Sequence, residues 1–285
     1  MATKDAVLDP DAVLHVYEPH RAGLPKFGPY FAELRQRMPF AAEFSKAGIR
    51  AAHSQTVFGQ LWLVLNPLLM ALVYYILVVI LRGKGGIDYL AHIVCGLFAF
   101  QLISAALGQG ASSVTGGGRL ILNMAFPRLL MPMAAVRTAF FRFVPTVPVF
   151  LVIKAFSNER WGWEMLLSIV FLGLLTLFSI GLAALMATLQ VYFRDTSSFL
   201  PFFTRIWLYM SPVLWLIDDA PARFEKLMLI GNPLFSLIGG WTDLALRSEI
   251  PPPSVWLAAV VWSVIAAVGG SLFFMSRERE FAVRI

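Results

Sequence analysis

The chain is 285 residues long, 58% hydrophobic and 14% charged, with a net charge of +6, whereas an ordinary soluble domain has about 45–50% apolar and about 25% charged residues. A water-soluble core is excluded: the apolar residues gather into charge-poor runs of about 20, the length an α-helix needs to cross about 30 Å of hydrocarbon. The basic residues are spread over the segments flanking these runs and form no single stripe, so the positive charge reads as orientation in a bilayer and not as nucleic-acid binding.

In chain order, the first segment is polar and lacks the basic stretch and short apolar core of a cleavable leader, so the N-terminus is expected to be retained and the first span to direct insertion. Residues 1–42 are set apart as a cytoplasmic N-terminal segment and 43–285 as a membrane domain. Read at about 100° per residue, Glu43 to Phe58 puts Phe44, Ala47, Ala51 and Phe58 on one face, with Lys46, Arg50 and His53 almost opposite. That pattern suits an amphipathic helix in the cytoplasmic interface, and a short solvated helix is the plainer reading.

Six runs follow as predicted transmembrane helices: Leu61 to Leu81, Leu90 to Leu107, Leu129 to Ile153, Met165 to Phe193, Phe199 to Ile217 and Val255 to Met275. With both termini inside, 14 Lys and Arg residues are cytoplasmic and 7 external, the latter including Lys154, and the opposite orientation would violate the positive-inside rule. Between the fifth and sixth runs, Leu227 to Trp241 is interrupted by Gly231, Asn232 and Pro233, leaving halves too short to cross. A re-entrant helical hairpin dipping in from outside accounts for this, against an ordinary surface loop. Pro251, Pro252 and Pro253 give a stiff entry to the last run. The expected fold is thus an all-α polytopic membrane protein.

No constellation for catalysis stands out. Cys95 is the one cysteine, so neither an intramolecular disulfide nor a thiolate metal site can form. His15, His20, His53 and His92 lack metal-ligand spacing, and no run holds a carboxylate beyond Glu164 at an edge, which disfavours proton coupling. Gly83-Lys84-Gly85 lacks the first glycine and the hydroxyl of a nucleotide-binding loop, and Gly116 to Gly118 reads as a flexible bend, so the chain is not expected to hydrolyse ATP alone. No internal repeat is visible. Six spans leave little room for a complete pathway, which points to a two-fold dimer, with Gly181, Ala184, Gly269 and Gly270 allowing close helix approach.

Arg142 and Arg205 lie within apolar runs, where a cation is costly; either they attract an anionic phosphate or they snorkel toward the cytoplasm, which is the reading for Arg137. Aromatic residues are dense in the first and fifth runs: Tyr74 and Tyr75, then Phe199, Phe202, Phe203, Trp207 and Tyr209. These residues form either a smooth wall along which sugar rings slide or ordinary helix packing.

Leu61-Trp62 with Asn66-Pro67, Asn123 to Arg128 with Phe126-Pro127-Arg128, Phe193-Arg194-Asp195, Ser211-Pro212, and Asn232-Pro233-Leu234 stand in one order and span context. This set resembles type 2 ABC exporter permeases, above all those that export O-antigen, teichoic acid, capsule or galactan polymers, over about residues 44–280. The resemblance implies a homodimer with two separate ATP-binding cassette subunits that use ATP and Mg, no cofactor on this chain, and re-entrant helices gating the external mouth. It implies that Gly116 to Arg128, including Asn123, Phe126, Pro127 and Arg128, couples to the ATPase together with Arg50 of the interface helix. The Arg194-Asp195 pair is expected to cap or lock the turn into the fifth span. The substrate implied is a lipid-linked polysaccharide crossing the bacterial inner membrane between two copies of the first and fifth spans. Export of a drug or small lipid is an alternative, as is a membrane-embedded lipid-processing enzyme, for which Asp88, Asp218 and Asp219 are the external candidates.

Overall fold

A computed structural model describes residues 23–52, 56–83, 85–118, 126–217 and 222–284. Among them there are helices and no strands: α1 (Phe27–Ala52), α2 (Trp62–Arg82), α3 (Ile87–Gly116), α4 (Leu130–Phe143), α5 (Thr146–Phe156), α6 (Ser168–Tyr192), α7 (Thr196–Met210), α8 (Ala222–Gly231), α9 (Pro233–Thr242), α10 (Pro253–Arg277) and α11 (Phe281–Arg284). Five stretches are long and apolar enough to cross a membrane: Gly59–Leu81, Ile87–Gly116, Leu130–Phe156, Trp163–Tyr192 and Pro253–Arg284.

The centre of the bundle is α3, almost continuously buried from Ala91 to Leu107, and it packs against α2, α4, α6 and α7. A helix apolar on all sides belongs inside such a bundle. By contrast α2 buries only Pro67, Ala71 and Val78, a strip at helical spacing, and exposes Leu69, Val73, Ile76 and Ile80. It stops at Gly83, whose φ of 65° suits glycine and whose N–H donates to the Val79 carbonyl at 2.9 Å.

The closest helix crossing is α6 on α10. A Cβ on Gly181 would collide with the Ala266 carbonyl, and one on Gly270 with the carbonyl of Gly181. Two of the small residues assigned to close approach in a dimer therefore act within the chain, whereas a Cβ on Gly269 would meet nothing within 4 Å.

The structure adds detail to four expectations. First, α1 begins at Phe27 and crosses the boundary drawn at residue 42: Tyr30, Leu34 and Ala41 are buried in one cluster with Leu130 and Met131 of α4, and Thr138 donates to Ser45 at 2.9 Å. Second, the third predicted span is a membrane-length stretch, Leu130–Phe156, whose helix is interrupted at Val144 and Pro145, where Pro145 and Pro148 have no N–H for the helical ladder. Third, the fifth stops at Met210. Ser211 is extended (φ −100°, ψ 153°) because Pro212 disfavours helical backbone before it, and 15 residues give about 22 Å of helix. Fourth, Lys154 is no loop residue. It is fully buried in the last turn of α5, donating to the Ala245 carbonyl at 3.0 Å and to Ser248 Oγ at 3.3 Å, with its ammonium 5.0 Å from the Trp161 ring.

The interrupted stretch is indeed helix, break, helix. Asn232 begins α9, accepting from Leu234 N–H at 3.1 Å with Pro233 in the first turn, a normal helix start. All of α9 after Pro233 is buried, and a π-helical turn, Asp243–Arg247, follows it.

Candidate functional site

A cleft of about 390 Å³ opens between α2, α3 and α7, lined by Met70 and Tyr74, by Leu97, Phe100, Gln101, Ser104 and Gly108, and by Ser197, Leu200, Pro201, Thr204, Arg205 and Leu208. On α7, Leu200, Thr204 and Leu208 form the buried strip, which leaves Arg205 and Tyr209 at the cleft's exposed side. Tyr209 meets Tyr74 edge-on, ring centroids 6.4 Å apart. The cleft thus brings together two residues anticipated for a pathway, Tyr74 and Arg205, and Tyr209 packs on Tyr74 beside it.

The other anticipated residues are dispersed. Tyr75 accepts from Gly86 N–H at 3.0 Å, which ties down the turn into α3. On another flank of α7, Phe199 and Phe203 line a groove against Met186, Leu189 and Phe193. Phe203 packs on Trp207 at 5.2 Å, Trp207 lies 6.1 Å from Phe178, and Phe202 is exposed. Arg142 lines a separate cavity of about 150 Å³ with Trp62, Asn66, Pro67 and Gln101. Its Nε is buried there without a hydrogen-bond partner among the described residues. Gln101 lines both cavities, and with Ser104 and Gly108 it forms a polar strip on one face of α3. Sequence reading passed over it by attending to charges and rings, although a glutamine and a serine inside an apolar run were a visible signal.

Asn232, anticipated as a gate residue, joins the α8–α9 break to α7. It accepts from the Trp207 indole N–H at 2.8 Å and donates to the Met210 carbonyl at 2.9 Å. Gly231 ends α8 with open space around it and no left-handed φ, so no glycine is needed there.

At the other end of the bundle, Phe126 lies 6.3 Å from Phe40 of α1, Pro127 is buried, and Arg128 donates to the Glu278 carbonyl. The Glu278 side chain, itself buried, accepts from Tyr30 at 2.7 Å. Burial, then the Glu278 charge, raises the Tyr30 pKa, and burial lowers that of Arg128. A clasp results that holds α1, the Phe-Pro-Arg turn and the C-terminal tail together. Next to it, Glu280 accepts from Tyr192 at 2.5 Å, and Arg284 lies 4.3 Å above the Tyr192 ring. Gly116 and Arg50 are exposed; Asn123 lies outside the described residues.

Asp195 makes no side-chain cap at the start of α7. Gln190 locks that turn instead, donating to the Arg194 carbonyl at 3.0 Å and accepting from Ser197 N–H at 2.7 Å. Asp88 is engaged by Asn158 at 2.7 and 3.2 Å, a structural role, and Asp218 and Asp219 lie outside the described residues.

Among the described residues, five membrane-length apolar stretches mark a multi-pass membrane protein. No family model matches the chain. The chain is similar to the O-antigen export system permease protein RfbA of Myxococcus xanthus, 27% identical over 256 residues, which cover 89% of this chain and 98% of that protein. Two Klebsiella pneumoniae proteins of the same name are each 25% identical over 229 residues, 79% of this chain and 87% of their own length. The chain is thus similar over most of its length to proteins named as export permeases, which are transport components rather than enzymes.

Proposed function

We propose that this chain, as a homodimer with two ATP-binding cassette subunits, exports a lipid-linked polysaccharide across the inner membrane. ATP and Mg are used in those partners. The observation that carries the reading is the cleft between α2, α3 and α7, where Tyr74, backed by Tyr209, supplies ring surface beside Arg205, Gln101, Ser104 and Thr204. Aromatic faces pack on the apolar faces of sugars, amides and hydroxyls exchange hydrogen bonds with sugar hydroxyls, and the arginine meets the phosphate of a lipid carrier. The exposed flanks of α2 and α7 border this cleft, so a second copy related by two-fold symmetry would close it into a conduit.

In this reading α7 with its Ser211-Pro212 turn is a short sixth crossing, and α8 and α9 form the re-entrant hairpin that gates the external mouth at Asn232 and Pro233. Both termini are cytoplasmic by the distribution of Lys and Arg. The exposed Arg50 and Gly116, and the turn at Phe126, Pro127 and Arg128, then face the ATPase subunits.

The test is co-reconstitution of the chain with its ATPase partners in proteoliposomes, scoring ATP-dependent delivery of lipid-linked glycan to the lumen. Tyr74→Ala and Arg205→Glu are expected to cut transport severalfold while the complex still assembles. Full transport by Arg205→Glu would remove the phosphate role, and a fully active transporter made of this polypeptide alone would overturn the model of divided labour.

A further inference from the structure

A second cavity, about 650 Å³, lies between α1, α4 and α6 and shares no lining residue with the cleft. Its walls are apolar, with Met38, Val136, Phe140 and Ile180 among them, and its only charged lining residues are Arg35 and Arg137. Neither arginine forms an ion pair among the described residues. The Arg137 guanidinium lies 4.8 Å from the Phe141 ring centroid, which holds it in place without neutralising it.

We infer that this groove binds one anionic phospholipid, its phosphate between Arg35 and Arg137 and the upper part of an acyl chain against the apolar wall. Charge decides the occupant. Two cations with no carboxylate lining the groove fit a headgroup of net negative charge and gain little from a zwitterionic one. Position agrees with charge: Arg137 stands two turns, about 10 Å, into α4, where a long guanidinium reaches the headgroup level. Alongside the groove α1 exposes Phe31, Met38, Phe40 and Phe44, the kind of surface an interfacial helix presents to acyl chains. The bound lipid would join α1 to α4 beside the Thr138–Ser45 hydrogen bond. This site does not depend on what the cleft transports.

The test is lipid retention. The full chain, purified in phosphatidylglycerol nanodiscs, is transferred to phosphatidylcholine nanodiscs, and the phosphatidylglycerol kept is counted by native mass spectrometry. The wild type is expected to keep one per chain. Arg35→Ala and Arg137→Ala should each weaken retention about fivefold, as expected for about 1 kcal/mol per basic residue at an anionic lipid. Arg35→Lys with Arg137→Lys should retain the lipid, which separates charge from misfolding, and Arg37→Ala should retain it because Arg37 already pairs with Glu33 at 3.0 Å. Equal retention in wild type and both alanine variants would overturn the assignment. So would stoichiometric displacement of phosphatidylglycerol by added undecaprenyl pyrophosphate, which would make the groove a carrier-lipid site. Loss of glycan transport activity in the reading above would leave this count unchanged.

Discussion

Replacing Asn232 by alanine should loosen the joint between α7 and the α8–α9 break. Asn232 is buried, and its side chain makes three hydrogen bonds: from Trp207 Nε1 at 2.8 Å, from Leu234 N–H at 3.1 Å, and to the Met210 carbonyl at 2.9 Å. Loss of the helix cap costs about 1 kcal/mol. The indole N–H and the carbonyl would be left buried without partners, about 1–3 kcal/mol each. Side-chain hydrogen bonds measured inside membranes fall at the lower end of such ranges, so a total of about 3 kcal/mol is expected. Unfolding of the purified chain in mixed micelles, followed by tryptophan fluorescence and circular dichroism, measures it. Trp207→Phe removes one of the three bonds and should cost about 1 kcal/mol. The double variant should be less unstable than the sum, because the two side chains share a bond. An Asn232→Ala protein within about 0.5 kcal/mol of wild type, or strict additivity with Trp207→Phe, would refute the role given to this joint.

Gly181→Ala should lose about 3 kcal/mol or fail to accumulate, because the obstacle is backbone of α10 that no rotamer change removes. Gly269→Ala and Gly231→Ala, with open space at both sites, should stay within about 1 kcal/mol of wild type in the same unfolding assay. In the function proposed above, Tyr30→Phe and Glu278→Ala should reduce glycan delivered per ATP hydrolysed while the partner ATPases keep turning over, since the clasp holds α1 and the Phe-Pro-Arg turn as one piece; an unchanged ratio would show that the two move independently. The raised pKa of Tyr30 means the folded state holds that proton more tightly than the unfolded chain does. Its contribution should therefore be complete below about pH 10, the ordinary tyrosine value, and be lost as pH rises above it; stability measured from neutral to alkaline pH should fall more steeply in wild type than in Tyr30→Phe.

Much of the fold was legible because apolar length is a strong signal. The runs read at Leu61, Leu90, Leu129, Met165 and Val255 all correspond to membrane-length stretches. What failed to show was local. Pro145 and Ser211-Pro212 stand inside apolar runs, and hydropathy does not register a missing N–H, so one span carries an unforeseen interruption and the helix of another ends early. The start of α1 was visible in Phe27, Tyr30, Phe31 and Leu34, a helical spacing masked by the polar composition around it. Lys154 was counted among the external charges, and its burial, allowed by the lysine stem and a freed carbonyl at a π-turn, was not foreseen. For the site, the sequence supplied Tyr74, Tyr209 and Arg205, while nothing linear could tell which aromatic residues of α7 face the cleft and which face α6. Asn232 was found as a break in the pattern; its partners, Trp207 and Met210, follow from three-dimensional contact alone.

The contact of α6 with α10 at Gly181 and Gly270 has a mechanical consequence. Backbones in such close approach have no side-chain cushion in which to slide, and packed interfaces of this kind move as blocks. With α3 also seated on α6 at Gly110 against Ala183, these three helices form a stator. In the function proposed above, a stroke applied from the clasp end would be left to the helices seated on narrow buried strips: α2 on Pro67, Ala71 and Val78, and α7 on Leu200, Thr204 and Leu208. The protein's stiffness thus lies in α3, α6 and α10, and its compliance in the helices that touch α3 along narrow strips.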